Sequence, residues 1–167
     1  GRLKENGVPV VHCRALANIE TIKQCHMRTI SAEVARVHRK WYDEFSHSYG
    51  PVMAEMIQTG LGIDDRELDD LLAQKEMNRQ QIARQMDDHG IDFWITPAAT
   101  DHAPKGLGST GDPAMNLPWT HTGMPTVSVP CGFDSAGLPH GLQLVGKPCA
   151  DEALVRLAEL LVEPITG

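Results

Sequence analysis

Gly123-Met124-Pro125-Thr126-Val127-Ser128-Val129-Pro130-Cys131-Gly132 and, after the turn-rich Asp134-Ser135-Ala136-Gly137, Leu142-Gln143-Leu144-Val145 decide the fold of this chain. Val127-Ser128-Val129 and Leu142 to Val145 have the apolar, alternating character of strands, and the turn residues between them predict that they pair as antiparallel neighbours or lie close in one sheet. Pro125 and Pro130 bound the first run. Proline lacks the N–H that a central strand needs, so this strand is expected to be short or at an edge. Gly123 and Gly132 flank it where the backbone needs angles or close approaches denied to other residues. Gln143, alone among apolar neighbours, must find hydrogen-bond partners if it is buried.

Working outward, Ile91-Asp92-Phe93-Trp94-Ile95-Thr96 reads as a strand stopped by Pro97. From Ala98 to Asp112 the composition turns to Gly, Pro, Ser and Thr, a long loop of the kind that often carries function. Asp112-Pro113 reads as an N-cap with proline in the first turn of a helix, which Pro118 keeps short or irregular. On the other side, Asp151 to Glu163 is an amphipathic helix closed by Pro164. Nearer the start, the apolar stripe Ile19, Ile22, Cys25, Ile30, Val34, Val37, Trp41 and Phe45 predicts a long helix, with a break near Thr29 to Ser31. Pro51 opens a helix that stops at Gly60. Asp64 caps another, with Glu67 three residues on, that runs to His89 and ends at Gly90. Val8 to Cys13 is a β-rich run, and Arg2 to Gly7 reads as the tail of a helix ending at a glycine. The fold class is α/β, a mixed β-sheet flanked by helices. The whole chain, 1–167, is expected to form a single segment, with 1–90 mainly helical and 91–167 strand-rich. A helix tail at the start suggests a segment of something longer.

Composition excludes several classes. The formal charge is −7 over 167 residues, and the basic residues are scattered, which argues against a nucleic-acid partner. No run approaches the roughly 20 apolar residues of a membrane span, and Gly1 to Asn6 has no apolar signal core. Cys13, Cys25, Cys131 and Cys149 show no C-x-x-C spacing and read as free, buried thiols of a reducing, cytoplasmic compartment. His26, His38 and His47 lack the four-residue helical spacing of a metal pair, and His12 and Cys13 would point to opposite faces of a strand. No metal and no cofactor are expected.

In order along the chain stand Asp92-Phe93-Trp94-Ile95-Thr96-Pro97, Thr110-Gly111-Asp112, Asn116-Leu117-Pro118-Trp119-Thr120, Gly123 to Gly132, Gly137-Leu138-Pro139-His140-Gly141-Leu142-Gln143-Leu144-Val145-Gly146 and Asp151-Glu152-Ala153-Leu154. Together these resemble the carboxy-terminal part of amidase-signature enzymes. Residues 3–90 are compatible with the helical region that precedes it in that family.

The resemblance implies an enzyme that cleaves a carboxylic amide C–N bond through a serine acyl-enzyme. It uses a nucleophilic serine, a second serine in a cis peptide bond and a lysine. In the family all three lie upstream of the matched region, so no catalytic residue is expected in this chain, and the chain by itself should be inactive. Gly106 to Gly111 is Gly/Ser-rich, but Ser109 has no base at a recognisable position. The resemblance places Gly111, Asp112, Asn116 and Trp119 on the substrate side of the cleft. Two of them have a second reading: Asp112 as a helix N-cap, Trp119 as a core residue. His121 and His140 stand beside the glycine-rich elements. The expected partners are a small-molecule amide substrate and the amino-terminal part of the same fold, and an exposed cut surface would favour a homo-oligomer. Two other functions fit the residues less closely. One is transamidation of the kind carried out by amidotransferases that amidate aminoacyl-tRNA. The other is a non-catalytic module binding a partner through an unpaired sheet edge.

Overall fold

The computed structural model describes residues 2–166. Its helices are α1 (Arg2–Glu5), α2 (Ile19–Phe45), α3 (Pro51–Leu61), α4 (Asp65–Asp88), α5 (Leu117–Thr122) and α6 (Asp151–Thr166). The strands are β1 (Trp94–Pro97), β2 (Thr126–Phe133) and β3 (Pro139–Val145). The chain divides into two units, residues 18–78 and residues 2–17 with 79–166. The α/β class expected from the sequence is therefore present, with six α-helices and one small antiparallel sheet among the described residues.

In the helical unit, α2 is continuous where a break was expected. Thr29 donates its hydroxyl to the Cys25 carbonyl at 2.8 Å, so the polar side chain is satisfied inside the helix and does not compete with it. Of the apolar stripe, Ile22 and Cys25 are buried and Ile19, Ile30 and Val34 partly covered, while Val37, Trp41 and Phe45 are exposed. Small residues at Ser31 and Ala35 let α3 approach closely, and Gly60 is the residue that meets them. The Asp64 carboxylate accepts from Glu67 N at 2.8 Å and caps α4. The Glu67 side chain does not reach back to close the box; it pairs with Arg28 instead.

The other unit is built on the sheet, whose order is β1-β3-β2. The turn at 134–137 joins β2 to β3 as an antiparallel pair. Asp134 holds that turn by accepting from Ala136 N at 2.8 Å and Leu138 N at 2.7 Å. Among the described strands β2 lies at an edge, and its register shifts between Pro130 and Phe133, so Pro130 interrupts no ladder on two sides. β1 also pairs only with β3 among the described strands. It begins three residues later than expected and includes Pro97, opposite Leu142.

Alternation along β3 sends consecutive residues to two cores. Val145 joins Trp94, Trp119, Met124, Ile91 and the α4 residues Ile82 and Met86. Leu144 joins Val129 and the α6 stripe Leu154, Ala158, Leu161 and Ile165. Full burial of such a side chain contributes roughly 1.5–3 kcal/mol, so these two clusters fix which face of β3 points where.

Three further expectations are corrected. Val8 to Cys13 is not a strand: apolar, branched residues do not make one without a ladder partner, and Pro9 removes a donor. Helix α6 continues through Pro164 to Thr166, because a proline this near the end disturbs only the last turns. Of the four free cysteines, only Cys25 is buried; Cys13 and Cys131 are partly covered and Cys149 is exposed.

Candidate functional site

The residues expected to face substrate lie where the loop 98–112 runs into α5. The loop starts against the sheet, with Ala98 N donating to the Gly141 carbonyl at 2.9 Å. A Cβ on Gly141 would stand 2.8 Å from the Ala98 Cβ and 2.9 Å from the Ser128 Oγ, so only glycine lets the loop sit this close. At the far end Gly111 takes φ +95° and donates its N–H to Ser109 Oγ at 3.0 Å. Ser109 thus holds a turn of its own loop.

Asp112 accepts from Ala114 N at 2.9 Å and caps the 3-10 turn Pro113–Met115, as its N-cap reading requires. Its carboxylate is exposed. Asn116 follows as the residue before α5, yet its side chain makes no cap. The backbone of Asn116 is held at both ends: its N–H donates to the Pro113 carbonyl at 2.9 Å, and its carbonyl accepts from Thr120 N at 3.0 Å. The Gln143 amide, 3% exposed, donates from Nε2 to the Met115 carbonyl and to Asn116 Oδ1, both at 3.2 Å. The buried glutamine has therefore found the partners its position demanded, and they belong to the candidate site.

Trp119, on the first turn of α5, points the other way. It is 3% exposed and packs with Trp94, Met124 and Val145. Its indole N–H and that of Trp94 are buried without a hydrogen-bond partner, a state that costs about 1–3 kcal/mol per group. Gly123 ends α5 in the left-handed region at φ +65°, where Met124 N donates back to the Trp119 carbonyl at 3.1 Å. The four expected residues thus fall into two environments. Gly111, Asp112 and Asn116 are exposed, and Trp119 lies in the core.

The loop also touches the β2–β3 hairpin. His102 Nδ1 lies 3.2 Å from Asp101 Oδ1, and His102 Nε2 lies 3.4 Å from Asp134 Oδ2. The His140 ring centroid is 4.8 Å from that of His102. Hydrogen bonds from Leu138 N and then Ala136 N hold the Asp134 carboxyl below its ordinary range, and the two histidines act in the same direction. His121 is buried at 1% exposure. Among the described residues no group of three His, Cys, Asp or Glu side chains could hold a metal ion. No described helix is long and apolar enough to cross a membrane. The sequence missed the link from Gln143 to Asn116 because the two are separated by 27 residues; the isolated polar residue in an apolar strand was the only signal.

A family model described as Amidase matches residues 2–155. The A-type polypeptide of glutamyl-tRNA(Gln) amidotransferase from Nostoc sp. is 40% identical over 75 residues, which are 41% of this chain and 15% of that protein. An amidase crystal structure superposes with a TM-score of 0.77 at 25% identity, covering 88% of this chain and 36% of its own. A fatty acid amide hydrolase superposes at 0.80 with 16% identity, covering 98% of this chain and 35% of its own; at that identity the likeness is one of fold. This chain therefore spans only a minor part of the length of the proteins it matches. The match runs through the helices as well as through the sheet: the chain belongs to the Amidase family.

Proposed function

We propose that this chain is the carboxy-terminal part of an amidase that hydrolyses a carboxylic amide C–N bond through a serine acyl-enzyme. The nucleophilic serine, the bridging serine and the lysine come from sequence outside these residues. Gly111, Asp112 and Asn116 supply part of the substrate-facing rim, and Trp119 backs it from the core. The observation that carries the reading is the Amidase match over residues 2–155, joined to a rim whose one side chain anchored from beneath is a neutral amide. In this reading Ser109 is a turn residue of its own loop, where its hydroxyl accepts from Gly111 N. The amide substrate is the principal partner, with the amino-terminal part of the same fold completing the cleft.

A serine-directed fluorophosphonate on the full-length protein tests this. Amide hydrolysis that is abolished by the probe, with the label on a serine outside the 167 residues, is the expected result. Label on Ser109, or hydrolysis by the 167-residue chain alone, would overturn it.

Transamidation is the second reading, favoured by the 40% identity to a glutamyl-tRNA(Gln) amidotransferase polypeptide. Asn116-Leu117-Pro118-Trp119-Thr120 resembles general amidases more closely, which ranks this second. Activity that appears only when a second protein is added would reverse the order.

A further inference from the structure

Asparagine before a helix normally turns its side-chain oxygen onto the N–H groups of the first turn. Asn116 forgoes that cap and gives its oxygen to Gln143, a side chain of the central strand, 3.2 Å away. Resting on the amidase reading, we propose that Gln143 is a positioning residue. It locks the Asn116 amide with its –NH2 facing outward, as a pair of donors for an acceptor oxygen of the amide substrate.

The geometry leaves one orientation for each amide. The Met115 carbonyl can only accept a hydrogen bond, so the end of Gln143 that faces it must be the nitrogen. That nitrogen has one more proton, and it points at Asn116. Only an oxygen can receive it, so Asn116 presents Oδ1 inward and Nδ2 away from the sheet. Burial of Gln143 at 3% keeps water from competing for its protons. The backbone of Asn116 is fixed through Pro113 and Thr120, which leaves the side-chain torsions as the freedom that Gln143 removes. A preset donor pair loses less entropy on binding than a free one, and it adds no charge to the rim.

The test uses the full-length protein with two probes: acetamide, whose only acceptor is the scissile carbonyl, and N-acetylglycinamide, which carries a second one. Asn116→Asp keeps the shape and the bond from Gln143 but removes the donors. Gln143→Met keeps the length and removes the lock. Each single variant should raise KM by about 3- to 10-fold with kcat little changed. Gln143→Met combined with Asn116→Ala should be no worse than Asn116→Ala alone. Loss on both probes assigns the scissile carbonyl as the contact; loss only on N-acetylglycinamide assigns an acyl-side group. KM values within twofold of the unsubstituted protein on both probes, or additive effects in the double variant, would overturn the proposal. NMR of 15N-asparagine-labelled protein reads the lock without turnover. Asn116 side-chain amide signals that shift and exchange faster in Gln143→Met support it, and unchanged signals overturn it. An unsubstituted protein that hydrolyses no amide counts against the amidase reading instead, and the amide signals then decide the lock alone.

Discussion

At Gly60 the backbone of α3 lies directly on the Ser31 carbonyl of α2: a Cβ built there would stand 1.8 Å from that oxygen and 2.7 Å from the Ala35 Cβ. No rotation of a side chain relieves such a contact, because the obstructing atom is backbone. The two helices meet at this distance only because one of them carries no side chain.

Gly60→Ala should therefore destabilise the helical unit by about 1–3 kcal/mol, read as a lower midpoint in urea unfolding. Gly50→Ala is the control, since nothing lies within 4 Å of a Cβ there, and it should change the midpoint little. Equal effects at the two glycines would mean that the helices can separate without loss.

Gln143→Leu keeps the apolar packing of β3 but leaves the Met115 carbonyl without its donor. A loss of about 1–3 kcal/mol is expected. Retained stability would show that water replaces the amide.

Acid should weaken the fold in two separate windows. Burial holds the His26 imidazole below its ordinary 6.5, with Lys75 acting in the same direction and Glu33 against it. The unfolded chain thus takes up this proton more readily than the folded one, so stability is full above the unfolded value and declines as pH falls from there toward the folded pKa. Tm measured from pH about 7 to about 5 should fall, and His26→Gln should flatten the slope. An unchanged slope would assign the loss to other groups. Asp134, held low chiefly by the Leu138 N–H, lies below the ordinary 3.8, so its contribution is present above that value and is lost only in stronger acid.

Thiol alkylation should follow exposure. Cys149 is exposed, while burial raises the Cys25 thiol above its ordinary 9.0 and so keeps it protonated at neutral pH. Iodoacetamide followed by peptide mass mapping should modify Cys149 first and Cys25 last. Early labelling of Cys25 would reveal opening of the helical unit.

The local bonds of Asp112 and of the turn at 134–137 were legible before the structure, since both come from side chains that act within four residues. Trp119 was not decided by its sequence neighbours. A tryptophan on a six-residue helix faces a cleft or a core according to what stands opposite, and here Trp94, Met124 and Val145 do. The Gln143–Asn116 bond was equally out of reach, because a buried amide states that it has partners and does not name them.

By itself, then, the sequence determined what short-range chemistry controls: the helical segments and the Asp64 and Asp112 caps, the hairpin and its proline-marked strand, and the order of motifs that resembles the amidase-signature family. Tertiary structure alone decided the rest. It carried α2 through Thr29, denied Val8 to Cys13 a ladder partner, exposed Val37, Trp41 and Phe45 of the α2 stripe and sent Trp119 inward. The reason is that burial and hydrogen-bond pairing are properties of what two distant segments present to each other, and neither segment encodes the other's position.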